Sequence, residues 1–138
     1  MAAVEIQDDG QAVLARAHEL AQQFGAQLSV LHVVEYLPVD PAGDALLTTP
    51  VDLSRERAAQ AEARLREWCQ ALGIGSNQAS VVVGSVTAEI LRAAQENHAD
   101  LIVVGRHPRR GLAALFSHTG EGLVTRAPCD VLAVHLKP

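Results

Sequence analysis

A chain of 138 residues with a formal net charge of −5 can bury one core of ordinary size, about two thirds of its unfolded surface. Hydrophobic residues make up 49% of it and aromatics 3%, so the core is built from Val, Leu, Ile and Ala, as in parallel sheets covered by helices. The same balance excludes nucleic acid as a main partner: duplex binding needs a basic footprint, and Phe24, Tyr36, Trp68 and Phe116 are too scattered to stack bases.

Residues 2–6 form a short apolar run that the turn-rich Gln7-Asp8-Asp9-Gly10 brings to a stop. A helix follows. Val13, Ala17, Leu20, Ala21 and Phe24 recur at helical spacing, Gly25 closes it, and Asp8 and Asp9 sit where a helix N-terminus favours negative charge. Residues 27–34 (QLSVLHVV) read as a buried strand, with His32 a hydrogen-bonded core histidine inside it. A connection punctuated by Pro38, Pro41 and Pro50 spans 35–50, long for a structureless link and of the kind that often carries function. A second helix over 52–72 presents Ala58, Ala61, Leu65, Trp68, Cys69 and Leu72 on its apolar face.

Residues 80–84 are a third strand, and 86–97 a third helix with Ile90, Leu91 and Ala94 inward. Residues 100–105 (DLIVVG) are a fourth strand. A basic loop from Arg106 leads to a helix around 121–126, which Pro128 ends, and 131–136 form the last strand. Strands alternating with helices predict a single α/β domain: a five-stranded parallel sheet sandwiched by helices. In such sheets ligands bind beyond the carboxyl ends of strands, which points to Glu5, Val34, Gly84 and Gly105 onward.

Cys69 and Cys129 form no CxxC and read as reduced thiols of a cytoplasmic protein. No signal-peptide pattern opens the chain, and no apolar run reaches the ~18 residues of a membrane span. His107 and His118 have no Cys or carboxylate at ligand spacing, so no metal site is predicted. Gly-x-Ser-x-Gly, the dinucleotide fingerprint and the P-loop are all missing. A phosphoacceptor pocket on Glu5, Asp8 and Asp9 would need an acid at the end of the third strand, where Gly84 stands.

Four segments together carry a resemblance. Ala-Ala-Val-Glu at the start, Leu-His-Val-Val, Val-Gly-Ser-Val-Thr-Ala-Glu-Ile, and Asp-Leu-Ile-Val-Val-Gly-Arg-His with the later Arg-Ala-Pro-Cys-Asp-Val-Leu-Ala-Val are similar to the universal stress protein family over nearly the whole chain. The resemblance implies a Rossmann-like, adenine nucleotide alpha hydrolase-like fold. It implies a homodimeric stress-response module that binds or signals through an unidentified partner, and no enzyme beyond slow ATP hydrolysis, for which no catalytic base is in view. For members that bind ATP or AMP it implies Glu5 at the ribose, Val34 against adenine, and phosphates on Gly105, Arg106, Arg109 and Thr119.

Members that bind ATP carry Gly-x-x-Gly, nine residues, then Gly-Ser or Gly-Thr. Bare glycines there let backbone N–H groups approach phosphate closely. In this chain Gly105 fits the first position, but Pro108 takes the second and has no N–H to donate. His118 stands before Thr119 where glycine is usual, and Glu121 follows where it would repel phosphate. The sequence therefore predicts the branch without strong ATP binding, a small pocket and no required cofactor. Arg106, Arg109 and Arg110 are the substitute phosphate donors of the alternative, an adenine-nucleotide switch.

In the first strand only Ala2, Ala3 and Val4 precede Glu5, fewer apolar residues than family members usually have. The last strand is uniformly apolar at Val131, Leu132, Ala133 and Val134, and an apolar sheet edge needs cover. The resemblance implies a two-fold dimer through it.

Overall fold

The computed structural model describes residues 1–7, 9–36, 50–106 and 118–137, and strands alternate with helices in them as the sequence predicts. The order is β1 (Ala2–Ala3), α1 (Gly10–Phe24), β2 (Val30–Glu35), α2 (Pro50–Ala71), a 3₁₀ turn (Ser76–Gln78), β3 (Ala79–Gly84), α3 (Val86–Glu96), β4 (Leu101–Arg106), α4 (His118–Arg126) and β5 (Asp130–His135). Every pairing is parallel, and the strand order is β3-β2-β1-β4-β5.

The chain steps from β1 to β2 to β3 in one direction, then crosses to β4 and β5 on the other side of β1. Right-handed crossovers then put the helices of the two halves on opposite faces. The packing agrees. Val13, Leu14 and Ala17 of α1 and Leu65, Trp68 and Cys69 of α2 share one core layer with Val4, Val30 and Val103. Ile90, Leu91 and Ala94 of α3 and Leu123 of α4 share the other with Leu31, Ile102 and Val104. Successive strand residues alternate between the layers, as the pleat requires. Cys69 and Cys129 are free thiols in these opposite layers, and burial raises the pKa of both.

Two expectations change. The run 2–6 contracts to a two-residue β1, with Glu5 and Ile6 past its end. Hydrogen bonds extend its pairing to either side: Val4 N–H donates to Leu31 O at 2.9 Å and Val103 N–H to Met1 O at 2.9 Å. Phe24, placed on the apolar face of α1 by spacing, is 78% exposed, while Leu14 is fully buried. The inward stripe of α1 runs through residues 13, 14 and 17 and leaves the core before the last turn, where Gly25 closes the helix at φ 60°. In β5, Val131 and Val134 are half-buried against the sheet layers, and Leu132 and Ala133 are exposed.

Helix α2 has 22 residues and is about 33 Å long, whereas the six residues of β2 span about 20 Å. A crossover helix starts near the carboxyl end of the strand before it and runs back. The first turns of α2 therefore overhang the sheet at the end where β1, β2 and β4 finish.

Candidate functional site

The direction of the crossovers reverses between β1 and β4, and at the carboxyl ends of β1, β2 and β4 lies a cavity of about 1060 Å³. That is the upper end of the ~300–1,000 Å³ usual for small-molecule sites, and the described residues thus frame a roomier crevice than the small pocket expected from the sequence. The loss of loop glycines is the sequence signal for a small pocket, whereas much of the lining comes from the strand ends and from residues 57–67 of α2.

Glu5, Val34, Gly105 and Arg106 all line this crevice. Glu5 is exposed at the end of β1 and Val34 is buried at 4% exposure. Gly105 has a packing reason to be glycine: a Cβ there would lie 2.8 Å from Leu136 Cδ1 and 2.9 Å from Val13 Cγ2. Arg106 donates to His135 Nδ1 at 3.0 Å, so part of its guanidinium is drawn toward β5. Gly84 stays outside the crevice, because Glu89 folds over it and a Cβ would meet Glu89 Cγ at 2.9 Å. Asp8, the connection 37–49, His107, Pro108, Arg109 and Arg110 lie outside the described residues. Thr119 falls in the first turn of α4, which begins three residues earlier than expected; the side chains of His118, Thr119 and Glu121 lie outside the described residues.

Gly10 holds the floor of the site. A Cβ there would sit 1.8 Å from the Glu5 carbonyl oxygen and 3.1 Å from Trp68 Cζ3, so α1 starts directly against the turn that presents Glu5.

The sequence places His32 as a hydrogen-bonded core histidine; the bond is present, and the ring also lines the crevice half-buried. Its Nδ1 lies 2.8 Å from the Val4 carbonyl oxygen. A carbonyl only accepts, so Nδ1 carries the hydrogen and the neutral ring keeps Nε2 as an acceptor. Burial pushes its pKa below the ordinary 6.5, against the Val4 hydrogen bond and the Glu5 charge, with Arg57 adding to the lowering. The unfolded chain then binds a proton in a pH range where the folded chain does not. His32 therefore costs no stability above about pH 6.5, and stability falls as pH drops from there toward the depressed folded value. Urea midpoints of the wild type and His32→Asn, followed from pH 7.5 to 5, are expected to converge on acidification; parallel curves would show that His32 does not titrate in this way.

Several lining residues were missed. Arg57, Gln60 and Arg64 come from α2, and Thr87, nine-tenths buried, from the first turn of α3. On α2 the signal was present: positions 57, 60, 61 and 64 form a stripe beside the apolar face. Its meaning needed the packing of α2 beside the strand ends. Among the described residues no group of three or more His, Cys, Asp and Glu could hold a metal ion, and no helix is long and apolar enough to cross a membrane.

A doubly wound parallel sheet with its crevice at the reversal of strand order is Rossmann-like, of the adenine nucleotide alpha hydrolase-like class. The profile of the Universal stress protein family matches residues 1–135, and the chain belongs to that family. It is similar to universal stress protein A homolog 1 of Coxiella burnetii, 34% identical over 139 aligned residues, which cover 99% of this chain and 95% of the relative. Among solved structures, the universal stress protein UspA from Lactobacillus plantarum superposes with a TM-score of 0.75 at 28% identity, over 96% of this chain and 93% of that one. A universal stress protein solved in complex with cAMP superposes with a TM-score of 0.65 at 20% identity, over 99% and 97%.

Proposed function

We propose that this chain is a homodimeric, cytoplasmic stress-response module that binds an adenine nucleotide as a signal and catalyses nothing. The observation that carries the reading is the convergence of Glu5, Val34, Gly105 and Arg106 on one crevice of about 1060 Å³ at the strand-order reversal. Such a crevice offers a carboxylate for ribose hydroxyls, a buried valine as an apolar wall for a base, and a guanidinium for an anion. The cAMP bound by one structural neighbour is a ligand of that class. The volume favours this reading over the small or vestigial pocket that the missing loop glycines suggested.

Dimerisation is the second part of the reading. Strand β5 pairs with β4 along one side, Leu132 is 37% exposed, and Ala133 is exposed beside it. A second copy laid antiparallel along that edge would cover the apolar pair and satisfy the free backbone groups.

Thermal denaturation with adenosine and AMP tests the nucleotide reading. A ligand at 100 times its Kd stabilises the fold by about 2.7 kcal/mol, a rise of several degrees. Both ligands are expected to raise the melting temperature of the wild type, and Glu5→Gln is expected to reduce the shift with adenosine. An unchanged melting temperature at millimolar concentrations of both ligands would remove the reading.

A further inference from the structure

Charges of both signs line the crevice, with Arg106 at the end of β4 and Glu67 on α2 among them. Glu5 and Glu35 stand at the ends of β1 and β2, with Asp9 just before α1, while Arg57 and Arg64 stand on the wall made by α2. Arg57 and Arg64 are seven residues apart, about 10.5 Å along one face of the helix, with Gln60 between them. Leu65 and Trp68 are buried in the core below, so the face that carries both arginines is fixed in rotation toward the strand ends. The exposed arginines Arg16 and Arg92 are tied to Glu19 and to Glu89 and Glu96 in helical ion pairs; Arg57 and Arg64, like Arg55, Arg66 and Arg126, show no ion pair among the described residues, and of these five only Arg57 and Arg64 line the crevice. On the strand side His32 lines the same crevice, and its pKa responds to Glu5, which raises it, and to Arg57, which lowers it.

We propose that Arg57 and Arg64 form an anion subsite on α2 that takes the phosphate chain of the nucleotide. The subsite rests on the nucleotide reading above and deepens it. A ligand with its sugar at Glu5 places its phosphates away from the carboxylates, and the two guanidiniums, two turns apart, match an extended diphosphate better than a single phosphate. Gln60 adds an amide donor between them. Glu67, one turn beyond Arg64 on the same wall, marks the far limit of the subsite by repulsion. The arrangement supplies through side chains the donors that Pro108 and His118 remove from the loop after β4. It also explains why Arg106 can be shared with His135 without emptying the crevice of positive charge.

Isothermal titration with adenosine, ADP and inorganic pyrophosphate tests the subsite in the wild type, Arg57→Gln, Arg64→Gln, and Arg66→Gln as an α2 control that does not line the crevice. Hydrogen bonds to charged groups are each worth about tenfold or more in affinity. ADP is expected to bind at least tenfold more tightly than adenosine. Arg57→Gln and Arg64→Gln are each expected to weaken ADP and pyrophosphate about tenfold, more at low than at high salt, and to leave adenosine within twofold. Arg66→Gln is expected to change nothing. Both crevice arginines are exposed, so melting temperatures should stay near the wild-type value and separate lost binding from lost fold. Equal affinity for adenosine and ADP, or an ADP affinity indifferent to both substitutions, overturns the subsite and leaves the nucleoside reading standing. Failure of the wild type to bind all three ligands overturns both.

Discussion

Gly10→Ala is expected to lower the melting temperature by roughly 10 °C and to abolish nucleoside binding. Two effects oppose each other at this position. Alanine has the better helix propensity and less freedom in the unfolded chain, which favours it by about 0.4–1 kcal/mol. Against that, its Cβ would stand 1.8 Å from the Glu5 carbonyl oxygen, a distance no real contact reaches. The atom in the way is backbone, so no rotamer change relieves it. On the other side Trp68 Cζ3 is 3.1 Å away, and that residue is 4% exposed within the core layer of α1 and α2. Overpacking of a fixed core costs about 1–3 kcal/mol, and a backbone clash belongs at the upper end, so sterics outweigh propensity. The start of α1 and the turn holding Glu5 must separate, which moves the carboxylate from the crevice. Calorimetric melting together with adenosine titration checks both halves. A variant as stable as the wild type would mean that α1 starts elsewhere.

Ala133→Glu is expected to convert the proposed dimer to monomer at micromolar concentrations, read as a later elution in size-exclusion chromatography with light scattering. The residue is exposed at the middle of β5, so the monomer itself should fold unchanged. A two-fold interface doubles the effect, because one substitution places two like charges near the axis. Like charges brought together at an interface cost several kcal/mol, which is a thousandfold or more in dissociation constant. Leu132, 37% exposed beside it, keeps its apolar surface in the variant, so lost association would be due to charge and not to lost area. An unaltered elution volume with a dimeric wild type would move the interface to another surface.

Local patterning alone determined much of this molecule. Valine-rich runs of about six residues marked β2, β3 and β4, since a strand buried on both faces has no polar side to show. Helical spacing alone places Ala61, Leu65 and Trp68 of α2 and Ile90, Leu91 and Ala94 of α3 in the core, where they are buried. The same spacing failed at Phe24, because periodicity tells which face a residue lies on and not where along the helix the core ends. Glu5, Val34, Gly105 and Arg106 were legible as strand-end residues, and family likeness supplied their grouping. Arg57, Arg64 and His32 were not legible as one wall, and the size of the crevice was not legible at all. Both depend on the order β3-β2-β1-β4-β5 and on a helix of 22 residues crossing a strand of six. Burial is a short-range property that each segment encodes for itself, whereas a crevice forms from the mismatch in length and direction between segments that meet only in the folded chain.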